Sequence, residues 1–478
     1  MSDYITTIGL EFHAEMKTKT KIFCSCPTDF AAAPNTHVCP VCLGLPGVLP
    51  VLNKHAVELA VKAGLALNCQ ISEYSKFDRK NYFYPDLPKG YQVTQFPLPI
   101  CKNGWLEIED AAGQAKKVRI NRIHMEEDAG KLVHSGDNIG NSDYSLPDYN
   151  RAAVPLIEIV TEPDISSADE AKAFGEKLKL TLEYAGVSDV RMEQGSLRCD
   201  VNISIRARES DPLGVKVEIK NLNSFRAVHR AICYEEMRQA EALEYGEKLI
   251  QETRLWNDAL GETRPMRSKE DSHDYRYFPE PDLPPVIVSP EWVREIAATM
   301  PEMPDQRVNR LRSELGLSDY DSAQLVAVPA LALLFDEAVG LGAEPKMCAN
   351  WLLGDVARLL NPDQPLPFTA ADFAALLDEV KSGAINNNSG KEVLAEMFAT
   401  GGKPADIIAA RGFAQISDSS FLEEAVAKII AANPQPVADF KGGKQAAIGF
   451  LIGQVMKETK GQANPNMVRE FMLKALSE

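Results

Sequence analysis

From residue 197 to residue 206 apolar and polar side chains alternate without interruption: Leu197, Cys199, Val201, Ile203 and Ile205 against Arg198, Asp200, Asn202, Ser204 and Arg206. A period of two belongs to a β-strand, because successive side chains leave opposite faces of the sheet. A strand needs partners, so this run commits the chain to a sheet. One apolar and one polar face is the habit of antiparallel sheets packed on one side. The alternation recurs at Ile8, Leu10 and Phe12 against Glu11 and His13, and at Val215, Val217 and Ile219 against Lys216, Glu218 and Lys220. Val118–His124 reads as a further strand, and the apolar run Val154–Val160 is interrupted by Glu158. Helical periodicity intervenes at Asn53–Leu67, Ser167–Tyr184 and Arg226–Tyr245. The predicted class is α+β with an antiparallel sheet, not a βαβ repeat.

The proline-rich stretch Phe278–Pro285 marks a boundary, and beyond Pro290 the pattern is helical. Helices are predicted at Glu291–Met300, Asp305–Gly316, Tyr320–Val328, Ala330–Gly340, Lys346–Asn361 and Ala370–Ser382. A second boundary lies near Gly401-Gly402, after which apolar stripes mark Phe421–Ala432, Phe440–Lys457 and Pro465–Leu476. The expected domains are 1–290, then an all-α domain over 291–403, then a small all-α tail over 404–478. At 478 residues the chain is too long for one ordinary core.

The chain is 45% hydrophobic and 25% charged, as globular proteins are. It has no run of about 18 apolar residues, the length a membrane helix needs. The N-terminal residues enter a strand pattern at Ile8, which leaves no room for a targeting peptide, and nine scattered cysteines suit a reducing compartment. A cytoplasmic protein is therefore expected. A net charge of −17 speaks against a bulk electrostatic grip on nucleic acid, DNA included. Residues 401–478 carry nine Lys/Arg against eight Asp/Glu, so the acidity sits in the rest of the chain.

Cys24-x-Cys26 and Cys39-x-x-Cys42 are separated by 12 residues. Two close thiol pairs fit a tetrahedral, closed, structural zinc site; the plainer reading is four unrelated buried cysteines. The acids form a second pattern. Glu11 and His13 share a strand face, Glu126, Glu127 and Asp128 follow His124, Glu158 interrupts an apolar run, and Asp200 and Glu218 lie on polar strand faces. Oxygen-rich sets with an imidazole suit Mg²⁺ or Mn²⁺, and Mg²⁺ usually arrives with substrate phosphates. Phosphate loops are absent: Ser389-Gly390-Lys391 has Ile385 where glycine is needed and Glu392 after the lysine, and Gly340-x-Gly342 lacks a third glycine. Phe77–Tyr91 interleaves basic and aromatic residues, which would stack on an unpaired base or, equally, pack in a core.

Longer runs carry a resemblance: Ile8–His13, Phe77–Pro85, His124–Lys131, Pro155–Asp164, Gly195–Ser204, Glu218–Phe225 and Asp274–Pro281. Together they resemble the family of B subunits of the aspartyl/glutamyl-tRNA amidotransferase, over the whole chain. Phe12 and Gln194 depart from the family pattern, where Val and Glu are commoner. The resemblance implies a cradle-shaped catalytic domain of the glutamine-synthetase-like fold, then helical parts that hold the tRNA body. It implies that ATP phosphorylates the side-chain carboxylate of mischarged Glu-tRNA(Gln) or Asp-tRNA(Asn). Ammonia from a glutaminase A subunit then forms the amide, and a small C subunit supports the contact between the other two. It assigns Glu11, His13, Glu127, Glu158 and Glu218 to the metal–ATP site, with Mg²⁺ (or Mn²⁺) on Glu11, His13, Glu127 and Glu218, and adds Glu126 and Asp200 as further candidates. From charge alone, Arg79, Lys80 and Lys220 are expected to meet phosphate oxygens. The rival expectations are a zinc-bearing RNA-binding adaptor without chemistry of its own, and a free-standing ammonia-dependent ligase for a small carboxylate.

Overall fold

The computed structural model describes residues 4–110, 112–136, 142–268, 275–361, 364–413, 419–459, 463 and 465–477. The chain forms two compact units, Met1–Pro304 and Asp305–Glu478. In chain order the strands of the first unit are β1 (Ile5–Glu15), β2 (Gln70–Ile71), β3 (Tyr74–Ser75), β4 (Asp78–Asn81), β5 (Tyr91–Thr94) and β6 (Cys101–Glu109). There follow β7 (Ala115–Glu127), β8 (Lys131–His134), β9 (Ser145–Asp148), β10 (Pro155–Thr161) and β11 (Leu197–Arg206). The last are β12 (Val217–Leu222), β13 (Glu252–Asn257), β14 (Glu262–Ser268), β15 (Phe278–Pro279) and β16 (Val286–Ile287). The helices of this unit are α1 (Lys54–Ala66), α2 (Ala168–Tyr184), α3 (Phe225–Glu244) and α4 (Pro290–Ala297).

Twelve strands form one sheet along the path β14-β13-β12-β11-β1-β10-β7-β5-β4-β15, with β6 also on β7 and β2 on β6. The long strand β7 pairs with β10 over its C-terminal half and, on its other side, with β6 and then β5. The pairings are antiparallel except one: β12 and β13 run parallel. A parallel pair needs a crossover, which α3 supplies. The sheet is therefore not purely antiparallel as expected, and one βαβ unit lies next to its β14 edge strand.

β1 lies inside the sheet, between β10 and β11. Its alternation sends Ile8, Leu10, Phe12 and Ala14 into the core, each at most 1% exposed. Phe12 meets Phe174 of α2 with ring centroids 6.0 Å apart. The three long helices begin where the chain supplies a capping side chain: Asn53 accepts from His55 N, Ser167 from Glu170 N and Ser224 from Ala227 N. The opposite face of the sheet is drier than a solvated face. His124, Glu126, Asn202, Ser204 and Glu218 on it are buried. Side chains on neighbouring strands stand about 5 Å apart, so charged groups drawn together there shield one another from water. The first unit runs past residue 290 because α4 packs Ile296 and Trp292 on the same core.

The second unit is helical, and three details depart from the periodicity. The segment predicted at Lys346–Asn361 breaks into Pro345–Trp351, a π-helical turn at Leu352–Val356 and a short piece at Ala357–Leu359. Asn387–Thr400 is a helix, so the Ser389-Gly390-Lys391 run sits in its first turns. The stripe at 440–457 is two helices, Pro434–Lys441 and Ala447–Glu458. Gly442-Gly443 divides them, Gly443 at φ 95°, a conformation that costs side-chain-bearing residues dearly. Near the C-terminus Leu422, Val426, Leu451, Val455, Val468 and Met472 form a separate small core. Among the described residues no single helix is long and apolar enough to cross a membrane.

Phe174→Ala removes a fully buried ring from the main core. It is expected to destabilise the first unit by about 3–5 kcal/mol. Chemical denaturation of the full chain reads this as an earlier transition; an unchanged midpoint would contradict the packing described.

Candidate catalytic site

The register of β1 assembles the polar face. Glu11 stands opposite Asp200 of β11 and Val160 of β10; His13 stands opposite Arg198 and Glu158; Glu158 stands opposite His124 of β7. The row Arg198–His13–Glu158–His124 thus crosses four strands. Two groups of ligand atoms result, each with its members within 4.8 Å of one another: Glu11, Asp200 and Glu218, and His13, Glu126 and Glu158. Glu11 and His13 are two residues apart on one strand, so the groups are offset by about 7 Å along it.

In the first group Lys220 Nζ lies 2.6 Å from Asp200 Oδ2 and 3.3 Å from Glu218 Oε1. Asn202 Nδ2 donates to Glu11 Oε1 at 2.8 Å, and Thr253 Oγ1 to Glu218 Oε2 at 2.8 Å. Burial opposes the charge on Lys220, but Asp200 and Glu218 outweigh it and raise its pKa. In the second group His13 Nε2 lies 3.5 Å from Glu126 and 3.4 Å from Glu158, and His124 Nε2 lies 3.6 Å and 3.3 Å from the same two carboxylates. Thr94 Oγ1 donates to Glu126 at 3.1 Å, and Arg122 approaches Glu158 at 3.7 Å. Burial works against protonating either imidazole. The carboxylates prevail, raising the pKa of His13 and lifting His124 to about 9. Burial would also lift the two acids, yet His124 holds Glu126 below the usual carboxylate range, and His124 and His13 hold Glu158 well below it. At the edge of the site Asp128 accepts from Arg198 Nη2 at 3.0 Å and faces Arg151 Nε at 3.6 Å.

The metal set expected from the resemblance divides on this geometry. Glu11 and Glu218 join Asp200; His13 joins Glu158 and Glu126. Glu127 joins neither. The period of two on β7 turns it away from Glu126. Both its carboxylate oxygens lie 2.5 Å from Lys89 Nζ, and Val93 N donates to it at 2.9 Å. Arg79 is also committed elsewhere: its guanidinium forms a two-bond pair, at 2.7 Å each, with Glu280, the residue that follows β15. Lys80 sits over the rings of Tyr275 and Tyr82, 4.8 and 5.7 Å from their centroids. The sequence reading missed His124 and Arg122 as site residues, although both share the β7 face with Glu126 at spacings of two and four. Thr94, Asn202 and Thr253 carried no such signal. Asp274, which opens one of the resembling runs, lies outside the described residues.

Oxygen-rich groups of this kind suit Mg²⁺ or Mn²⁺. Two buried polar atoms beside them, His124 Nδ1 and Asn202 Oδ1, have no hydrogen-bond partner, which fits a site completed by a ligand. Sulfur is gathered elsewhere: the sulfurs of Cys24, Cys26, Cys39 and Cys42 lie within 4.8 Å of one another. The Cys39-Pro-Val-Cys42 turn aims Cys39 N at Cys42 Sγ, 3.2 Å away, and closes with Leu43 N on Cys39 O and Gly44 N on Val41 O. This donor set fits tetrahedral zinc.

Residues 6–294 match the family model described as the GatB/GatE catalytic domain, and residues 333–476 match the GatB domain. The chain is 52% identical to a protein of Carboxydothermus hydrogenoformans named as the B subunit of aspartyl/glutamyl-tRNA(Asn/Gln) amidotransferase, over the whole of both chains. A protein of the same name from Thermodesulfovibrio yellowstonii is 52% identical over 99% of this chain and all of its own. One from Clostridium beijerinckii is 53% identical over the whole of both.

Binding of Mn²⁺ to the full chain, followed by electron paramagnetic resonance, separates the two acid groups. Glu218→Gln and Glu158→Gln should each remove one class of site, and Glu127→Gln should leave both. Loss on Glu127→Gln with retention in the other two variants would contradict the grouping.

Proposed function

The chain belongs to the family of aspartyl/glutamyl-tRNA(Asn/Gln) amidotransferase B subunits, and from that premise we propose that its acid-lined sheet face activates the carboxylate side chain of an aminoacyl-tRNA for amidation. The family's reaction turns Glu-tRNA(Gln) or Asp-tRNA(Asn) into Gln-tRNA(Gln) or Asn-tRNA(Asn), so this chain is one component of a carbon–nitrogen ligase serving translation. The observation that carries the reading is the pair of acid groups side by side on β1 and its neighbours.

A carboxylate is a poor acyl donor, because its leaving group would be oxide. In the proposed route a substrate carboxylate oxygen attacks the γ-phosphorus of ATP and the bond to ADP breaks. The nitrogen of ammonia then attacks the carbonyl carbon, the bond to phosphate breaks, and the nitrogen gives up a proton, leaving amide and phosphate. Phosphoryl transfer asks a protein mainly for positioning and charge neutralisation. Glu11, Asp200 and Glu218, and separately His13, Glu126 and Glu158, are the residues that would hold Mg²⁺ or Mn²⁺. When bound, such cations neutralise phosphate oxygens and the charge that develops on them. Lys220 stays charged among its acids and is the group we place nearest to incoming phosphate oxygens. His124 keeps the two acids beside it ionised. Asn202, Thr253 and Thr94 fix carboxylate rotamers so that little is left to organise on binding. The cysteine quartet would hold a structural zinc.

The chain contains no Ser-Lys amidase-type run, so ammonia is assigned to a partner. We take that partner to be a glutaminase A subunit, the contact between the two being supported by a C subunit. The first domain serves as the cradle, the helical domain over 291–403 and the tail over 404–478 hold the tRNA, and the compartment is the cytoplasm. The tail's near-neutral balance supports this assignment within an acidic chain.

In a complex with its partners, ATP, glutamine and mischarged tRNA, Glu158→Gln should cut amidation by about 10²-fold or more, the scale on which lost electrostatic stabilisation appears in turnover. Binding of tRNA should be retained; full activity would refute the site. Deleting residues 405–478 should weaken tRNA binding in a gel-shift assay while the sheet unit stays folded. Unchanged affinity would refute a tRNA-binding role for the tail.

A further inference from the structure

We infer that Lys21 is the internal counter-charge of the cysteine quartet, its buried side chain set against Cys42 Sγ to help hold a thiolate-bound zinc. The inference rests on the proposed zinc reading and goes beyond it to a residue that is not a ligand. Lys21 is 0% exposed. Its ammonium lies 3.7 Å from Cys42 Sγ and 3.1 Å from Tyr149 O. Among the described residues no carboxylate reaches it.

A buried ammonium without an anion is one of the costliest groups a fold can carry. One carbonyl dipole does not offset that, and a neutral thiol is a weak acceptor. The remaining source of negative charge is sulfur. Four thiolates on a divalent cation leave a net charge of −2, and each sulfur keeps lone pairs for N–H donors. Cys42 receives two such donors, the backbone N–H of Cys39 at 3.2 Å and Lys21. Neither half of this arrangement suits the interior alone: the ammonium needs the thiolate, and the thiolate-rich metal site needs a cation against it.

The backbone of Lys21 belongs to the same construction. Its N–H donates to Cys26 O at 2.9 Å, which places the residue against the first cysteine pair while its side chain reaches the second. Through Tyr149 O the ammonium also grips the segment Asp148–Arg151. In that segment Asn150 Oδ1 accepts from His37 N at 2.8 Å, and Arg151 faces Asp128. Lysine is needed here for its charge; methionine would fill the same volume.

The test uses the full chain, purified in reducing buffer, with zinc measured by mass spectrometry and its release followed with a chromogenic chelator. Lys21→Met should release zinc about ten- to a hundredfold faster than wild type, the range seen when groups supporting metal ligands are removed. Lys21→Arg should return release to near the wild-type rate. Ile123→Val, a core change in the same unit, should not alter it. In cobalt-substituted protein the sulfur-to-metal charge-transfer band should shift in Lys21→Met and not in Ile123→Val. Wild-type protein offers a measurement free of variants: an amine-reactive label should modify Lys21 only after zinc is chelated. Wild-type release and an unshifted band in Lys21→Met, or equal labelling with and without zinc, would overturn the role of Lys21. Wild-type protein that binds neither zinc nor cobalt would overturn the metal reading of the quartet, and the inference with it.

Discussion

Glu11, Asp200 and Glu218 bring carboxylate oxygens within 4.8 Å of one another, and two residues along β1 His13, Glu126 and Glu158 bring together a second group. Like charges this close raise one another's pKa unless cations stand among them. The fold supplies those cations from the same strand faces. Lys220 sits between Asp200 and Glu218, and His13 and His124 flank Glu158 and Glu126. The acids raise the pKa of each imidazole, and the imidazoles in turn hold the two acids beside them below the usual carboxylate range. In the function we propose, such a surface exchanges its own positive charges for metal ions and phosphate.

The sheet makes the balance possible. β1 has a neighbour on each side, so every residue of its polar face meets side chains from two strands, while its other face is anchored by Ile8, Leu10, Phe12 and Ala14. A one-residue slip would send Glu11 and His13 into the core and the apolar set outward. The burial of one face therefore fixes the geometry of the other. The division of labour between Glu126 and Glu127 has the same origin. Consecutive residues on β7 face opposite ways, so one joins the acid group and the other is neutralised by Lys89.

Much of this was legible in the sequence, and the rest was not, for definite reasons. The alternation at 197–206 and at 8–13 carries both the strands and their acidic faces, because a period of two is local. Which strands lie side by side is not local. The pairing of Glu11 with Asp200 and of His13 with Glu158 joins residues far apart in the chain, and nothing within either segment announces it. Arg79 looked free for phosphate because its partner Glu280 is 201 residues away. The choice between Glu126 and Glu127 required the pleat, not the composition. The cysteine spacing announced its own cluster, yet Lys21 became part of it only when the fold closed its side chain over Cys42. The helix break at Gly442-Gly443 was readable from two glycines, but the apolar stripe on either side masked it.

On the proposed function, the two acid groups of the sheet face are cation seats and Glu127 is part of neither. Anomalous scattering from crystals of the chain grown with Mn²⁺ and an ATP analogue tests it directly. One peak is expected among Glu11, Asp200 and Glu218 and another among His13, Glu126 and Glu158. A sheet face without manganese, or a peak seated on Glu127 with Lys89 displaced, would contradict it.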